Sequence, residues 1–144
     1  MSFQSNPPRG FTLIELLVVI AIIGLLSSIV MASLNTARER ARDVRRLADI
    51  RQIQTALELY ANANGGAYPH VTNYVYALSA SLAPTYISVV PEDPTRTGSS
   101  RYRYYYGPGD RSYTILVDME GDGSGWCKIK TEPGYASWNS YPDC

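Results

Sequence analysis

The sequence has few of the residues that carry most protein chemistry. It contains one histidine, His70, and two cysteines among its 144 residues. No Ser/His/Asp set, CxxC pair or glycine-rich phosphate-binding loop is visible. These absences argue against an enzyme.

Charge of one sign is not in excess either. Lys and Arg together number 13, and Asp and Glu together also number 13, so the formal net charge is zero. A protein that holds nucleic acid or an anionic membrane through its overall charge needs a positive excess. Nucleic acid is therefore not an expected partner.

The two cysteines, Cys127 and Cys144, both lie close to the end of the sequence. A zinc site usually needs more soft ligands, and His70 is distant in sequence. The two cysteines are either joined in a disulfide or are free thiols of a cytosolic protein. The apolar segment near the start argues for export and hence for the disulfide. It would close a loop of about sixteen residues, worth about 3 kcal/mol.

The apolar residues are concentrated in one long run. Residues 1–10 are polar and hold Pro7 and Pro8, which disfavour a helix. Residues 11–34 are almost all apolar. As a helix they would measure about 36 Å, which is enough to span a bilayer core of about 30 Å.

The helix is expected to continue beyond this run to about residue 64. No proline or glycine occurs there before Gly65 and Gly66, which predict its end. An apolar stripe recurs at spacings of three and four: Val44, Leu47, Ile50, Ile53, Leu57 and Tyr60. The charged residues between them predict a solvated face: Arg38, Glu39, Arg40, Arg42, Asp43, Arg45, Arg46, Asp49, Arg51 and Glu58.

The remainder predicts a small antiparallel sheet. Residues 65–100 are proline-rich and irregular, with a short helix near 74–82. Residues 101–106 and 111–119 alternate as strands around the turn 107–110, and a third strand is expected at 126–130. The sheet would cover the apolar stripe of the helix. The fold class is therefore α+β, with a half-transmembrane, half-amphipathic N-terminal helix packed on a C-terminal sheet.

Glu15 is unusual because it lies inside the apolar run, where a carboxylate is expensive. We expect such a residue to have a partner, and the sequence offers none nearby except a new N-terminus. Cleavage after Gly10 would give Phe11 a free α-amino group, which could meet Glu15 of the same or a neighbouring subunit. The pairing of two charges would set the register of an assembly.

The segment Gly10-Phe11-Thr12-Leu13-Ile14-Glu15, with the apolar run after it, resembles the class III signal of type IV pilins and type II secretion pseudopilins. The resemblance implies cleavage after Gly10 by the prepilin peptidase, methylation of the Phe11 amine, and a role for Glu15 in assembly. It also implies self-assembly into a helical filament by an inner-membrane platform and its ATPase. The implied fold is the pilin fold, with residues 1–10 as leader, 11–34 as filament-core helix and 35–144 as globular domain.

The chain also resembles the major-pseudopilin branch of this family. This second resemblance covers residues 48–69, Pro91-Glu92-Asp93-Pro94 and the tyrosine strand. Two features differ from that branch. The proline that many members carry midway along the helix is absent near Ala32, and the pair Cys127 and Cys144 is more typical of pilus subunits. Our first prediction is therefore a type IV pilus-like subunit, with a type II secretion pseudopilin as the alternative.

The expected location follows from the same resemblance. The precursor would lie in the inner membrane with its C-terminal domain outside the cytoplasm, and the product in an extracellular pilus or a periplasmic pseudopilus. The positive-inside rule points the other way, because six arginines follow the span. The leader motif outweighs that count, since a peptidase on the cytoplasmic face fixes the orientation in the family.

The acids Asp118, Glu120 and Asp122, followed by Gly123, have the spacing of the first half of an EF-hand loop. They predict either a Ca²⁺ site or an acidic turn between strands. The major pseudopilins that the chain resembles carry a calcium-binding loop near the C-terminus. The acid expected at position 12 of the loop is absent, since Ile129 stands there.

Arg101 to Tyr106 interleaves arginine with tyrosine, as a platform for stacking single-stranded DNA would. The favoured interpretation is a strand with Tyr102, Tyr104 and Tyr106 packed inward and Arg101 and Arg103 in water.

A secreted soluble protein is an alternative of another class, because its signal peptide would also be an apolar segment near the start. An ordinary signal peptide cut after Ala32 or Ala37 would release a soluble binding domain. That interpretation leaves Glu15 unexplained, as does a single-pass membrane protein that never assembles. The mature N-terminus separates these classes.

Overall fold

The computed structural model describes residues 10–71, 74–95, 102–121, 125–130 and 142–144. The chain divides into two units, residues 1–37 and 38–144. Helix α1, Leu13–Ala63, begins in the first unit and ends in the second. It is followed by a 3₁₀ turn, Val75–Leu78, and a short helix α2, Ser79–Leu82. Three strands complete the fold: β1, Tyr102–Tyr106; β2, Tyr113–Asp118; and β3, Trp126–Lys130.

In the first unit, α1 is apolar on all sides. Every large apolar side chain from Phe11 to Leu34 is at least 45% exposed. By length and composition this helix could cross a membrane. The predicted apolar helix is confirmed.

In the second unit, the sheet has the strand order β1-β2-β3, and both pairs are antiparallel. Tyr104 lies opposite Ile115, which lies opposite Ile129. A 3₁₀ turn at Pro108–Asp110 connects β1 to β2, and Gly109 takes a positive φ of 68° there. The predicted strands, turn and short helix are confirmed to within two residues.

The core of the second unit lies between α1 and the sheet. Ile50, Ile53 and Leu57 of the helix are fully buried, and so are Tyr104 and Ile115 of the sheet. The 3₁₀ turn and α2 contribute Val75, Leu78 and Leu82 to the same cluster. The α+β prediction is confirmed, because the amphipathic stripe is covered as expected.

The predicted disulfide is present between Cys127 and Cys144. It fixes residues 142–144 beside β3, where Lys128 N–H donates to Pro142 O at 2.8 Å and Cys144 N–H donates to Lys128 O at 3.1 Å. The cross-link therefore extends the sheet by one short parallel bridge between Lys128 and Asp143.

The tyrosine strand packs as expected at Tyr102 and Tyr104, which are buried, while Tyr106 is half-buried. Arg103 is not simply in water, because it is half-buried with its guanidinium 4.7 Å from the ring centre of Trp126. Arg101 lies outside the described residues. Tyr102 and Tyr104 belong to the core and Tyr106 packs against it, so these three tyrosines are not a free stacking platform.

Two parts of the helix prediction were wrong. Val44 was placed in the buried stripe but is 68% exposed. Asp43, Arg46 and Asp49 were placed on the solvated face but are buried. The buried stripe keeps its spacing of three and four toward the N-terminus, through Ile50 to Arg46 and Asp43, and changes there from apolar to charged.

Candidate functional site

The predicted processing site lies before the first turn of α1. Gly10, Phe11 and Thr12 precede the helix, which begins at Leu13. Phe11 is 90% exposed, and a Cβ added at Gly10 would meet nothing within 4 Å. The peptide bond between Gly10 and Phe11 is therefore outside regular structure and accessible, as a protease substrate must be. The leader residues 1–9 lie outside the described residues.

Glu15 has a partner that the sequence argument missed. Its Oε2 accepts hydrogen bonds from the Thr12 N–H at 2.8 Å and from the Thr12 hydroxyl at 2.6 Å. In return, the Glu15 N–H donates to the Thr12 Oγ1 at 3.3 Å. This reciprocal arrangement is a capping box, and the spacing T-x-x-E at the start of an apolar run could have predicted it.

The carboxylate of Glu15 also lies in the first turn of the helix, where the macrodipole favours negative charge. Thus the chain already offers Glu15 two local donors, contrary to our expectation of none. A carboxylate accepts more than two hydrogen bonds, so this geometry leaves Glu15 able to accept a further donor.

The second unit holds a cluster of charges, defined as Arg42, Asp43, Arg46, Asp93 and Glu120, of which Asp43, Arg46 and Asp93 are buried and the other two half-buried. Arg46 is at its centre and is fully buried. Its Nε donates to Asp93 Oδ2 at 2.8 Å, its Nη1 donates to Asp43 Oδ1 at 2.6 Å, and its Nη2 donates to Glu120 Oε1. A buried guanidinium is stable only with such partners.

The cluster joins three separate segments. Asp93 belongs to the segment before β1, and Thr95 two residues later also accepts from Arg46 Nη2, at 2.9 Å. Glu120 belongs to the segment after β2, and Arg42 Nε donates to both of its oxygens, at 3.2 and 3.1 Å. The helix is therefore fixed to both segments by its arginines.

Asp43 holds the backbone of the segment after β2. Its carboxylate accepts from the Glu120 N–H at 3.1 Å and from the Gly121 N–H at 2.7 Å. A Cβ added at Gly121 would lie 3.1 Å from Asp43 Oδ2, so any larger residue there would push the carboxylate by a few tenths of an ångström. In addition, the Tyr102 hydroxyl of β1 donates to Asp49 Oδ2 of α1 at 3.1 Å.

These contacts shift the acidities of the carboxyl groups. Hydrogen bonding to Arg42, aided by Arg46 and opposed by partial burial, lowers the pKa of Glu120 to about 2. Burial alone would raise the pKa of Asp93, but hydrogen bonds from Arg46 and Thr95 outweigh it and lower that pKa. Burial would lower the pKa of Arg46, and its three carboxylate partners raise it instead.

The predicted calcium ligands are only partly described. Glu120 has its carboxylate on Arg42 and Arg46, and Asp118 is half-buried at the end of β2. Asp122 lies outside the described residues. Calcium binding by this set stays a prediction here.

Comparison with known proteins shows the family to which the chain belongs. Residues 6–31 match the model of the prokaryotic N-terminal methylation motif. The chain is 35% identical to the type II secretion system core protein G of Escherichia coli (strain K12) over 144 residues, which covers 93% of each chain. The chain belongs to the family of the type II secretion system core protein G.

Two further members of this family are similar over comparable lengths. The core protein G of Aeromonas hydrophila is 34% identical, with 94% of this chain and 96% of that protein covered. The core protein G of Pectobacterium carotovorum subsp. carotovorum is 30% identical, with 91% and 85% covered. No solved structure is a significant match. The resemblance to the pseudopilin branch is thus confirmed, and the relatives favour the alternative over our first prediction of a pilus subunit.

Replacement of Arg46 by alanine should destabilise the second unit by about 3–5 kcal/mol, because it leaves buried carboxylates without their counter-charge. The matched control is Arg45→Ala on the same helix, whose side chain is 67% exposed and 4.0 Å from Asp49. That change should cost less than about 1 kcal/mol. Urea unfolding of the full chain in detergent micelles, followed by tryptophan and tyrosine signals, measures both. Equal effects of the two substitutions would contradict a buried ion-pair cluster.

The stability of the second unit should fall as the pH is lowered. A carboxyl group with a lowered folded-state pKa stabilises the fold above its unfolded pKa and loses that contribution as the pH falls through its folded pKa. For Glu120 this window extends from about 4.5 to about 2, and Asp93 acts in the same direction from 3.8 downward.

The Asp93→Asn variant should therefore lose less stability between pH 5 and the onset of acid unfolding than the unmodified chain does. Asp143 is 76% exposed, so Asp143→Asn serves as the control and should follow the unmodified chain. Unfolding free energies at a series of pH values measure this. Parallel curves for all three proteins would show that Asp93 does not supply the pH dependence.

Proposed function

We propose that this chain is a structural subunit of a type II secretion system: a pseudopilin that assembles into a periplasmic pseudopilus. The observation that carries the proposal is the identity of 30–35% to core protein G over nine tenths of the chain. The apolar helix and the methylation motif support it. The chain acts by assembly and not by catalysis.

Processing is the first step of this proposal. The prepilin peptidase cuts between Gly10 and Phe11, and the Phe11 amine is methylated. The position of Gly10 to Thr12 supports this step, because these residues precede helix α1, which begins only at Leu13, and are therefore not locked in a helix. Before assembly, the precursor lies in the inner membrane with its C-terminal domain outside the cytoplasm.

Assembly is the second step. The large apolar side chains from Leu13 to Leu34 are exposed, so they need either lipid or the helices of other subunits around them. Within a helix bundle, Glu15 of one subunit pairs with the Phe11 amine of another and sets their register. The inner-membrane platform and its ATPase would drive the transfer from lipid to filament.

A type IV pilus subunit remains the second candidate, and the disulfide between Cys127 and Cys144 is the observation that favours it. A disulfide-bounded C-terminal region is typical of pilus subunits. The two candidates predict different effects of deleting the gene: loss of protein secretion for a pseudopilin and loss of surface pili for a pilus subunit.

The mature N-terminus tests the processing step. Mass spectrometry of the chain purified from cells with prepilin peptidase should show a start at Phe11 with one added methyl group. Gly10→Leu should remain uncut, since a branched side chain does not fit a protease site made for glycine. Gly24→Leu, which also meets no neighbour within 4 Å, is the matched control and should be cut normally. A start at Ser33 or Arg38 would identify an ordinary secreted domain and sink the proposal.

Deletion of the gene from its own cell distinguishes the two candidates. Loss of secreted proteins from the culture medium, with surface pili retained, is the result expected of a pseudopilin. Return of the gene with Glu15→Gln should restore processing but not secretion, because the neutral amide lacks the charge that pairs with the Phe11 amine. Retained secretion with loss of surface pili would instead support the pilus subunit.

A further inference from the structure

The acidic segment after β2 has the composition of a cation-binding loop. Asp118, Glu120 and Asp122 alternate ahead of Gly123, and Ca²⁺ is usually held by carboxylate and carbonyl oxygens at such alternate positions. The described part of this segment, through Gly121, nevertheless has two features that do not fit a bound dication.

The first feature is the occupation of Glu120. Both oxygens of its carboxylate accept hydrogen bonds from Arg42, and Oε1 also accepts one from Arg46. A dication bound to the same carboxylate would lie within a few ångströms of two guanidinium charges. At that distance like charges repel strongly in a partly buried site. Glu120 therefore cannot accept hydrogen bonds from both arginines and coordinate a Ca²⁺ ion at the same time.

The second feature is the orientation of the backbone. The N–H groups of Glu120 and Gly121 point at the Asp43 carboxylate. Successive N–H groups directed at one point form a concavity that binds an anion. A calcium loop directs carbonyl oxygens inward, whereas this segment directs N–H groups toward the helix.

From these two features we infer that Arg42 and Arg46 take the place of a divalent cation on the segment after β2. Both guanidinium groups come from α1 and both donate to Glu120, and Arg46 also shares its charge with Asp43 and Asp93. Arg46 is fully buried, and its partners include Asp93 from before β1 as well as Glu120. The positive charge that neutralises Glu120 is thereby supplied by the chain, and the fold of this segment through Gly121 is independent of dissolved calcium.

The test uses the purified full chain in detergent micelles, with thermal unfolding followed by circular dichroism. Its Tm should be the same with EGTA as with several millimolar CaCl₂, a concentration above that needed by extracellular calcium modules. Terbium, which replaces calcium and is excited by nearby tryptophan such as Trp126, should give no saturable luminescence.

Arg42→Gln is the informative variant, because Arg42 is 31% exposed and its loss leaves Arg46 in place. Its Tm in EGTA should fall by several degrees. The exposed Arg45→Gln is the matched control and should leave Tm unchanged. Addition of CaCl₂ should leave the Tm of the Arg42→Gln protein unchanged, because Arg46 still donates to Glu120 and the backbone N–H groups still face Asp43.

Two results would overturn it. One is a rise in the Tm of the unmodified chain with CaCl₂, or saturable terbium luminescence from it, because either shows a working cation site beside the arginines. The other is an Arg42→Gln protein with an unchanged Tm, because the guanidinium would then not be holding the segment. If Arg42→Gln yields no folded protein, the calcium and terbium measurements on the unmodified chain decide the matter alone.

Discussion

The buried guanidinium of Arg46 is the interaction on which the second unit depends. A charge removed from water is tolerated only when opposite charges and hydrogen bonds surround it, and three carboxylates do so here. Two of them come from segments 47 and 74 residues further along the chain. Correct placement of Arg46 therefore requires that the segment before β1 and the segment after β2 both reach the same turn of α1. The apolar core alone would allow these segments to slide, since burial is non-directional.

Helix α1 serves two environments along its length. From Leu13 to Leu34 it has no apolar partner within the described residues and depends on lipid or on other subunits. From Asp43 to Ala61 one face is buried against the sheet of its own chain. The fold of the second unit can therefore be stable before assembly, while the first part remains available for it. This separation suits the pseudopilin role that we propose, in which the apolar part of the helix passes from lipid to the helices of other subunits.

Much of the fold could be predicted because its signals are local. The uninterrupted apolar run, the absence of proline and glycine before Gly65, and the alternation along β1 and β2 each depend only on neighbouring residues. The charged cluster could not be predicted in the same way. Arginines and acids on a helix are usually solvated, and nothing near Arg46 in sequence reveals that Asp93 and Glu120 will approach it. The one available signal was the phase of the stripe, which passes from Ile53 and Ile50 to Arg46 and Asp43. Thr12 and Glu15 show the opposite case, a local signal that was present in the sequence and overlooked.

Hydrogen exchange of two backbone amides tests the central claim most directly. The N–H groups of Glu120 and Gly121 follow the end of β2 and would exchange rapidly if this segment were an ordinary surface turn. Because they donate to the Asp43 carboxylate that Arg46 holds in place, we expect them to exchange as slowly as the amides of β2 in the full chain. Rapid exchange of both amides, with β2 still protected, would show that the charged cluster does not hold the segment to the helix and would contradict the account.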